Sequence, residues 1–294
     1  MIYLHELYRI ARMAELKFLM WNLKNKADKN LDALKELYCE RKPDFLLLIE
    51  TVIPDSEIIK LSSNNLRSVM FDEKKTIRLY VSKNIDAQIV NEEENEIEAR
   101  DGHRRQIKER LVFFKLQINN EKILLVGIHF PSKFNYRGAQ QQQIMKRWRT
   151  WIEGQEKILK TDKTILFGDF NMNPQEIALY SHEGLSAHPT INHSAKVKTK
   201  YYNPMWSVMG DFIYQTDTPK VPGTYYRDIN LDDVDEIHWN VLDGLLIKNT
   251  LVHSFSKKSL EIITKTDSHC FYTNDTIDKA NYSDHLPVKF NFEL

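Results

Sequence analysis

The chain has 294 residues, 42% of them hydrophobic and 28% charged, with Lys+Arg and Asp+Glu balanced at 41 each. That composition excludes a disordered or fibrous chain, and it excludes gripping a long polyanion by net charge, so any such contact must come from a local patch. Cys39 and Cys270 are the two cysteines, which imply no disulfide framework and suit a reducing compartment.

No apolar run approaches membrane-spanning length. Residues 1–14 carry Glu6 and scattered polar residues and do not read as a signal peptide, so a cytoplasmic location is expected. They form an N-terminal extension, either a short amphipathic helix or sequence upstream of a natural start at Met13. Residues 15–294 show no repeat or linker and read as one domain. In chain order, residues 16–22 predict a strand ending in Asn22. Asp28 is a candidate cap for a helix carrying Leu31, Leu34, Leu37 and Tyr38 at helical spacing. Residues 45–49 form a continuous apolar run, a buried strand ending in Glu50. Strand, helix, strand is a crossover unit. A helix at 56–61 and strands at 66–71, 76–82 and 85–90 follow, then an acidic solvated loop around Glu92, Glu93 and Glu94. Residues 106–118 and 122–130 predict a hairpin about Asn119-Asn120, its second strand reaching His129. Residues 138–160 predict a helix with Ile144, Trp148, Trp151, Ile152 and Leu159 on one side, in which Gly154 costs about 1 kcal/mol relative to Ala.

The stretch from Thr164 to Pro174 is the centre of the pattern. Residues 164–167 read as a buried strand, and Gly168 permits a sharp turn at its end. Asp169 and Asn171, two apart, point the same way if the backbone stays extended. Asn173 and Pro174 suit the cap and first turn of a helix. Residues 181–223 are irregular and read as loops over a site. Residues 241–247, with Asp243, predict a strand; 252–255 and 261–264 are weaker; 289–292 close the chain.

Polar residues thus recur at the ends of apolar strands: Asn22, Glu50, His129, Asp169, Asn171, Asp243, Asp284 and His285. Sites gather at such ends in α/β proteins. Each has a bland reading alone: Glu50 as a helix cap, Asp243 as a turn residue, His129 as a core histidine. Their joint order reverses that preference. The motifs Trp21-Asn22, Leu48-Ile49-Glu50, Gly127-Ile128-His129, Gly168-Asp169-Phe170-Asn171, Leu242-Asp243 and Ser283-Asp284-His285 resemble those of the endonuclease/exonuclease/phosphatase superfamily, the deoxyribonuclease I-like group, in a bacterial-type form. The likeness runs from about residue 16 to the C-terminus.

The resemblance implies an α/β fold, a two-sheet β-sandwich flanked by helices, and a divalent-metal-dependent phosphodiesterase. A nuclease acting on DNA or RNA is the first expectation. A phosphatase or lipid phosphodiesterase on a small phosphorylated substrate is the alternative. Mg²⁺ or Mn²⁺ is the expected cofactor, since a hard cation offsets charge developing on a phosphate and takes oxygen ligands. Glu50 is the first choice of metal ligand, with Asn22 beside it and Asp284 as a second carboxylate. By resemblance Asp169 activates or orients water, and Asn171 holds the phosphate or that water. His285 contacts phosphate with Asp243 fixing its ring, and His129 stabilises the pentacovalent state or protonates the leaving oxygen. Abasic-site endonucleases usually carry tyrosine at the His129 position, so histidine resembles the deoxyribonuclease and phosphatase branches more. Gly244 departs from relatives that carry a larger residue after the aspartate.

Other candidates carry less. His182, His188 and His193 match no common zinc spacing. The stretches 201–206 and 223–227 read as aromatic loop core or as groups that stack bases and grip phosphate. Arg104, Arg105, Lys108, Lys196, Lys198 and Lys200 read as a basic surface or a strand's solvent face. Nucleic acid is the expected partner, with no membrane contact; the oligomeric state stays open.

Overall fold

Alternation of side chains along the strands sorts this chain into layers. The computed structural model describes residues 15–69, 76–90, 110–133, 136, 138–197, 200–210, 221–228, 237–273 and 275–294. The expected acidic loop, Arg104, Arg105, Lys108 and Lys198 lie outside them. The strands are β1 (Glu15–Asn22), β2 (Phe45–Ile49), β3 (Leu66–Ser68), β4 (Ile77–Ser82), β5 (Asp86–Ile89), β6 (Leu111–Ile118), β7 (Glu121–His129), β8 (Thr164–Asp169), β9 (Ala187–His188), β10 (Tyr201–Tyr202), β11 (Tyr225–Tyr226), β12 (Trp239–Asn240), β13 (Asp243–Lys248), β14 (Phe255–Ile262), β15 (Tyr272–Thr273), β16 (Thr276–Ile277) and β17 (Val288–Glu293). One sheet has the order β14-β17-β1-β2-β4-β3, the other β5-β6-β7-β8-β13-β10-β9. Each contains a parallel pair joined by a helical crossover: β1 and β2 through α1 (Ala27–Arg41), and β7 and β8 through α3 (Ala139–Leu159), with α2 (Asp55–Leu61) between. This is the expected two-sheet sandwich with helices outside.

Phe18, Phe45, Leu47, Leu125, Ile165, Phe167, Leu245 and Phe290 fill the space between the sheets. Phe18 stacks on Phe45 at 4.3 Å and on Phe290 at 5.0 Å and meets Phe167 edge-on. Odd-even partners of these residues face outward. Leu19, Trp21, Leu46 and Leu48 pack under α1, and Leu124, Val126, Ile128 and Leu166 pack under α3 with Trp148. Asn22, His129, Asp169 and Asp243 share the parity of the inward residues, so the pleat carries them into the inter-sheet space at one end.

Several expectations change. α1 has Lys26 at its cap, so Asp28 falls inside the first turn. Gly168 does not end its strand: it lies within β8 at φ +140, and a Cβ there would stand 2.0 Å from the Ile128 carbonyl oxygen of β7. The backbone bends instead at Asn171, φ +48, so Asp169 and Asn171 are not on one extended face. Asn173 caps no helix. Its side chain accepts from Val241 N–H at 2.8 Å and donates to Asn240, tying the turn to the end of β12, and the short helix α4 (Ile177–Tyr180) starts later. The stretch 181–223 contains β9, β10 and α5 (Ile191–Ser194), and Tyr201, Tyr202 and Met205 are buried core. The hairpin forms about the expected turn, from Leu111 onward, with 106–109 of its expected first strand outside the described residues; Asn119 and Asn120 are both at positive φ, the geometry of a two-residue turn that matches strand twist.

Gly168→Ala should destabilise the fold by more than about 2 kcal/mol, because the new methyl needs β7 and β8 to separate. Urea unfolding measures it; a loss within about 0.5 kcal/mol would contradict the close approach described here.

Candidate active site

Asp169 and Asp243 are direct partners across the antiparallel β8–β13 ladder. Two buried like charges in that relation repel, so each needs donors. Asp169 receives the Asn171 backbone N–H at 2.7 Å, the Asn171 amide at 3.1 Å and the Asn22 amide at 3.1 Å. Asp243 binds His285 Nδ1 at 2.8 Å. Burial, then the Asp243 charge, push the Asp169 carboxyl up to about 6. Burial works against protonation of His285, but Asp243, Asp169 and Asp284 overcome it and raise its pKa to about 9. Asp169, Asp243 and His285 offer ligand-capable atoms within 4.8 Å of one another. The Asp243–His285 bond and the Asn22 and Asn171 donors on Asp169 already commit most of that capacity.

The segment bearing His285 is fastened to β1. Ser283 Oγ donates to the Asn22 carbonyl at 2.6 Å, Trp21 Nε1 donates to the His285 carbonyl at 2.9 Å, and His285 N–H returns to Ser283 Oγ. Two motifs 261 residues apart are thereby one structural unit. Thr224, fully buried, accepts the backbone N–H groups of Leu242 and Asp243 on its hydroxyl, and its own carbonyl accepts from Leu286. It sets both halves of the Asp243–His285 pair. Gly244 leaves room that Met205 fills, since a Cβ would meet Met205 Cγ at 2.5 Å.

Glu50 reaches the cluster differently. Its parity points outward, but φ of +48 turns it, with its N–H held by the Thr76 carbonyl. It does not cap α2, whose cap is Pro54. Glu50 Oε1 lies 3.2 Å from His129 Nε2, and this hydrogen bond, opposed by burial, holds the Glu50 carboxyl down at about 2. Arg110 also meets the His129 ring, its Nη1 3.0 Å from Nε2 and 3.3 Å from Nδ1. Asp284 is paired at 3.8 Å with Lys24, and its Oδ1 is buried with no hydrogen-bond partner among the described residues. That Oδ1 lies 3.8 Å from His285 Nε2, too far for a hydrogen bond, so the ionised Glu50 and Asp284 supply carboxylate oxygens of the kind a hard divalent cation takes. The Asn22 amide is engaged at both ends, its oxygen by Lys24 N–H and its nitrogen by Asp169.

A groove of about 700 Å³ opens over these groups, lined among others by Lys24, Lys133, Asn171, Tyr225, Arg227 and His285. Lys24, Lys133 and Arg227 put cations on its wall, with Glu176 paired to Lys133 and Asp284 to Lys24. Tyr225 packs against His285 with ring centres 4.9 Å apart. Arg110, Lys24 and Thr224 are not singled out by the sequence: Lys24 neighbours a motif, Thr224 lies within the stretch 223–227 noted for its aromatics, and Arg110 within an expected strand. His188 and His193 pack edge to face at 4.6 Å, but Lys200 Nζ sits 2.7 Å from His193 Nε2, which disfavours a cation there.

The architecture is the deoxyribonuclease I-like α/β sandwich. No protein-family model matches the chain, and no curated protein matches it. Solved structures do. TDP2 from C. elegans aligns at TM-score 0.56 and 16% identity, over 95% of this chain and 75% of that one. An AP endonuclease from Archaeoglobus fulgidus aligns at 0.53 and 15%, over 95% and 100%. The 3′ phosphatase NExo from Neisseria, in a singly substituted form bound to a product DNA hairpin, aligns at 0.51 and 14%, over 95% and 100%. At these identities the likeness establishes the fold.

With EDTA present, stability should fall as pH rises from about 6.5 to about 9. A His285 pKa raised from 6.5 stabilises the fold fully below 6.5 and loses that contribution on passing its folded value. Asp243→Asn should flatten this decline. Urea titrations across the range test it, and parallel pH slopes for the two proteins would contradict the assignment.

Proposed function

We propose that the protein is a divalent-metal-dependent phosphodiesterase, with nucleic acid as its substrate. One observation carries the reading: a protonated His285 held by Asp243, a carboxylate base at Asp169 and an ionised Glu50 converge beneath a groove edged by cations. A phosphodiester needs its charge offset before a nucleophile can approach, and these groups supply that from several directions. DNA-processing enzymes among the proteins of like fold, one holding DNA, support nucleic acid over a small phosphoester.

Glu50 and Asp284 would hold the metal, Mg²⁺ or Mn²⁺, whose chemistry there would be to offset charge on a phosphate oxygen, and Asn22 beside them orients Asp169. Asp169 takes the proton of the attacking water. Its elevated pKa, close to neutrality, makes it a stronger base than an exposed carboxylate while leaving it mostly ionised. Asn171 spends both amide protons, on the Phe130 carbonyl at 2.8 Å and on Asp169. Its amide oxygen is then the group that holds the water, so we assign it to the water, not the phosphate. His285 commits Nδ1 to Asp243 and offers Nε2–H to a phosphate oxygen. His129, in contact with Arg110 and Glu50, steadies the pentacovalent state. Exposed, free Cys39 and Cys270 suit a reducing cytoplasm, and among the described residues no helix is long and apolar enough to cross a membrane.

Cleavage of single-stranded and duplex DNA, RNA, inositol phosphates and sphingomyelin should show activity on nucleic acid that EDTA abolishes. Asp169→Asn and His285→Ala should each lower kcat by about 10²–10⁴-fold. Undiminished cleavage by either variant would overturn the mechanism; turnover confined to inositol phosphates or sphingomyelin would overturn the substrate class.

A further inference from the structure

Lys24 stands where the charge balance of the site is decided. It follows Asn22 by two residues, and its N–H is held by the Asn22 amide oxygen at 3.1 Å. Lys24 and Asn25 both adopt left-handed backbone, φ +50 and +56. Neither is glycine, so the turn carries strain that its surroundings must hold. They do: Leu23 N–H bonds the Ile49 carbonyl at 2.8 Å and Asn25 N–H bonds the Glu50 carbonyl at 2.7 Å. The turn is thus laced to the residue that presents the Glu50 carboxylate. The result places Lys24 Nζ 3.8 Å from Asp284 Oδ2, on the wall of the groove, with half of its side chain open to solvent. Its charge acts on Asp284, Glu50, Tyr225 and Asp169.

We propose that Lys24 is the second cation of the site: it takes the place that a second divalent ion holds in two-metal phosphoesterases, so the chain works with one metal ion and a lysine. The inference rests on the phosphodiesterase reading. Two-metal centres set their ions about 3.5–4 Å apart, bridged by carboxylates, to neutralise both the attacking and the leaving oxygen. Among the described residues four carboxylates converge here: Glu50, Asp169, Asp243 and Asp284. Asp243 is neutralised by His285. Lys24 and Arg110 offset much of what remains, which leaves anionic charge for one divalent ion and not two. An ammonium on a four-carbon stem is a compact point charge that moves by a few ångströms without leaving the site. Before substrate arrives it lies against Asp284. A phosphate entering the groove offers it a better partner, and releasing Asp284 to the metal at the same moment tightens both.

The role makes opposite demands on two ligands. A lysine that only props the turn would, when removed, weaken both. A lysine that competes with the metal and assists the phosphate moves them apart. Titration calorimetry with Mn²⁺, supported by Mn²⁺ electron paramagnetic resonance, should show one ion per wild-type chain. Lys24→Gln should bind Mn²⁺ about three- to tenfold more tightly, a modest effect because the side chain is half exposed. With Mn²⁺ saturating, inorganic phosphate should bind Lys24→Gln about three- to tenfold more weakly. Lys24→Arg, which keeps the charge, should stay near wild type for both. Two Mn²⁺ ions in the wild-type chain, or unchanged or weaker Mn²⁺ binding by Lys24→Gln, would overturn the role of Lys24 and leave the phosphodiesterase reading standing. A wild-type chain that takes up no Mn²⁺ would overturn both.

Discussion

Asp169 and Asp243 face one another across a ladder at the buried end of two strands, and the surrounding site is a solution to that repulsion. Left alone, the pair would cost several kcal/mol or take up a proton. A cation on one member and three hydrogen bonds on the other make the arrangement tenable. The donors come from β1, from the bend after β8 and from the segment before β17. Each supporting residue needs its own support, hence the fully buried Thr224 and Ser283. The same tension prepares a base and an acid side by side, since one carboxyl rises and one imidazole keeps its proton.

Much of this is legible in the residues, for reasons that differ by element. β1, β2, β7 and β8 announce themselves as apolar runs, and one parity rule carries Asn22, His129, Asp169 and Asp243 to the same interior space. Glu50 breaks that rule, and nothing in its neighbours foretells the left-handed turn that corrects it. Asn173 illustrates the opposite failure. Asn before Pro favours a helix start locally, yet Val241 and Asn240 lie within reach and claim its side chain. Gly168 reads locally as a turn residue, whereas the close passage of Ile128 is what requires it. Tyr201 and Tyr202 read as loop aromatics because two-residue strands leave no periodicity to detect. Arg110 and Lys24 act through space, on partners 19 and 260 positions distant, and a linear reading does not see such pairs.

The balanced composition also acquires a local meaning. Lys24, Lys133, Arg227 and His285 share the groove with Glu176, next to the buried carboxylates of the site, and a separate acidic group gathers at Glu36, Glu40 and Asp267. Lys133 pairs with Glu176 on the groove wall. A neutral molecule can thus carry a locally uneven field, set by which charges its fold brings together.

The first strand of the sandwich, β1, lies between β2 and β17, the last. A polypeptide emerging from the ribosome therefore cannot close this sheet, nor seat Ser283 and His285 against Trp21 and Asn22, until the far end of the sandwich has been made and released from the exit tunnel. The cluster of Asp169, Asp243 and His285 stays unassembled until then, so its buried charges meet their partners only after the rest of the sandwich exists.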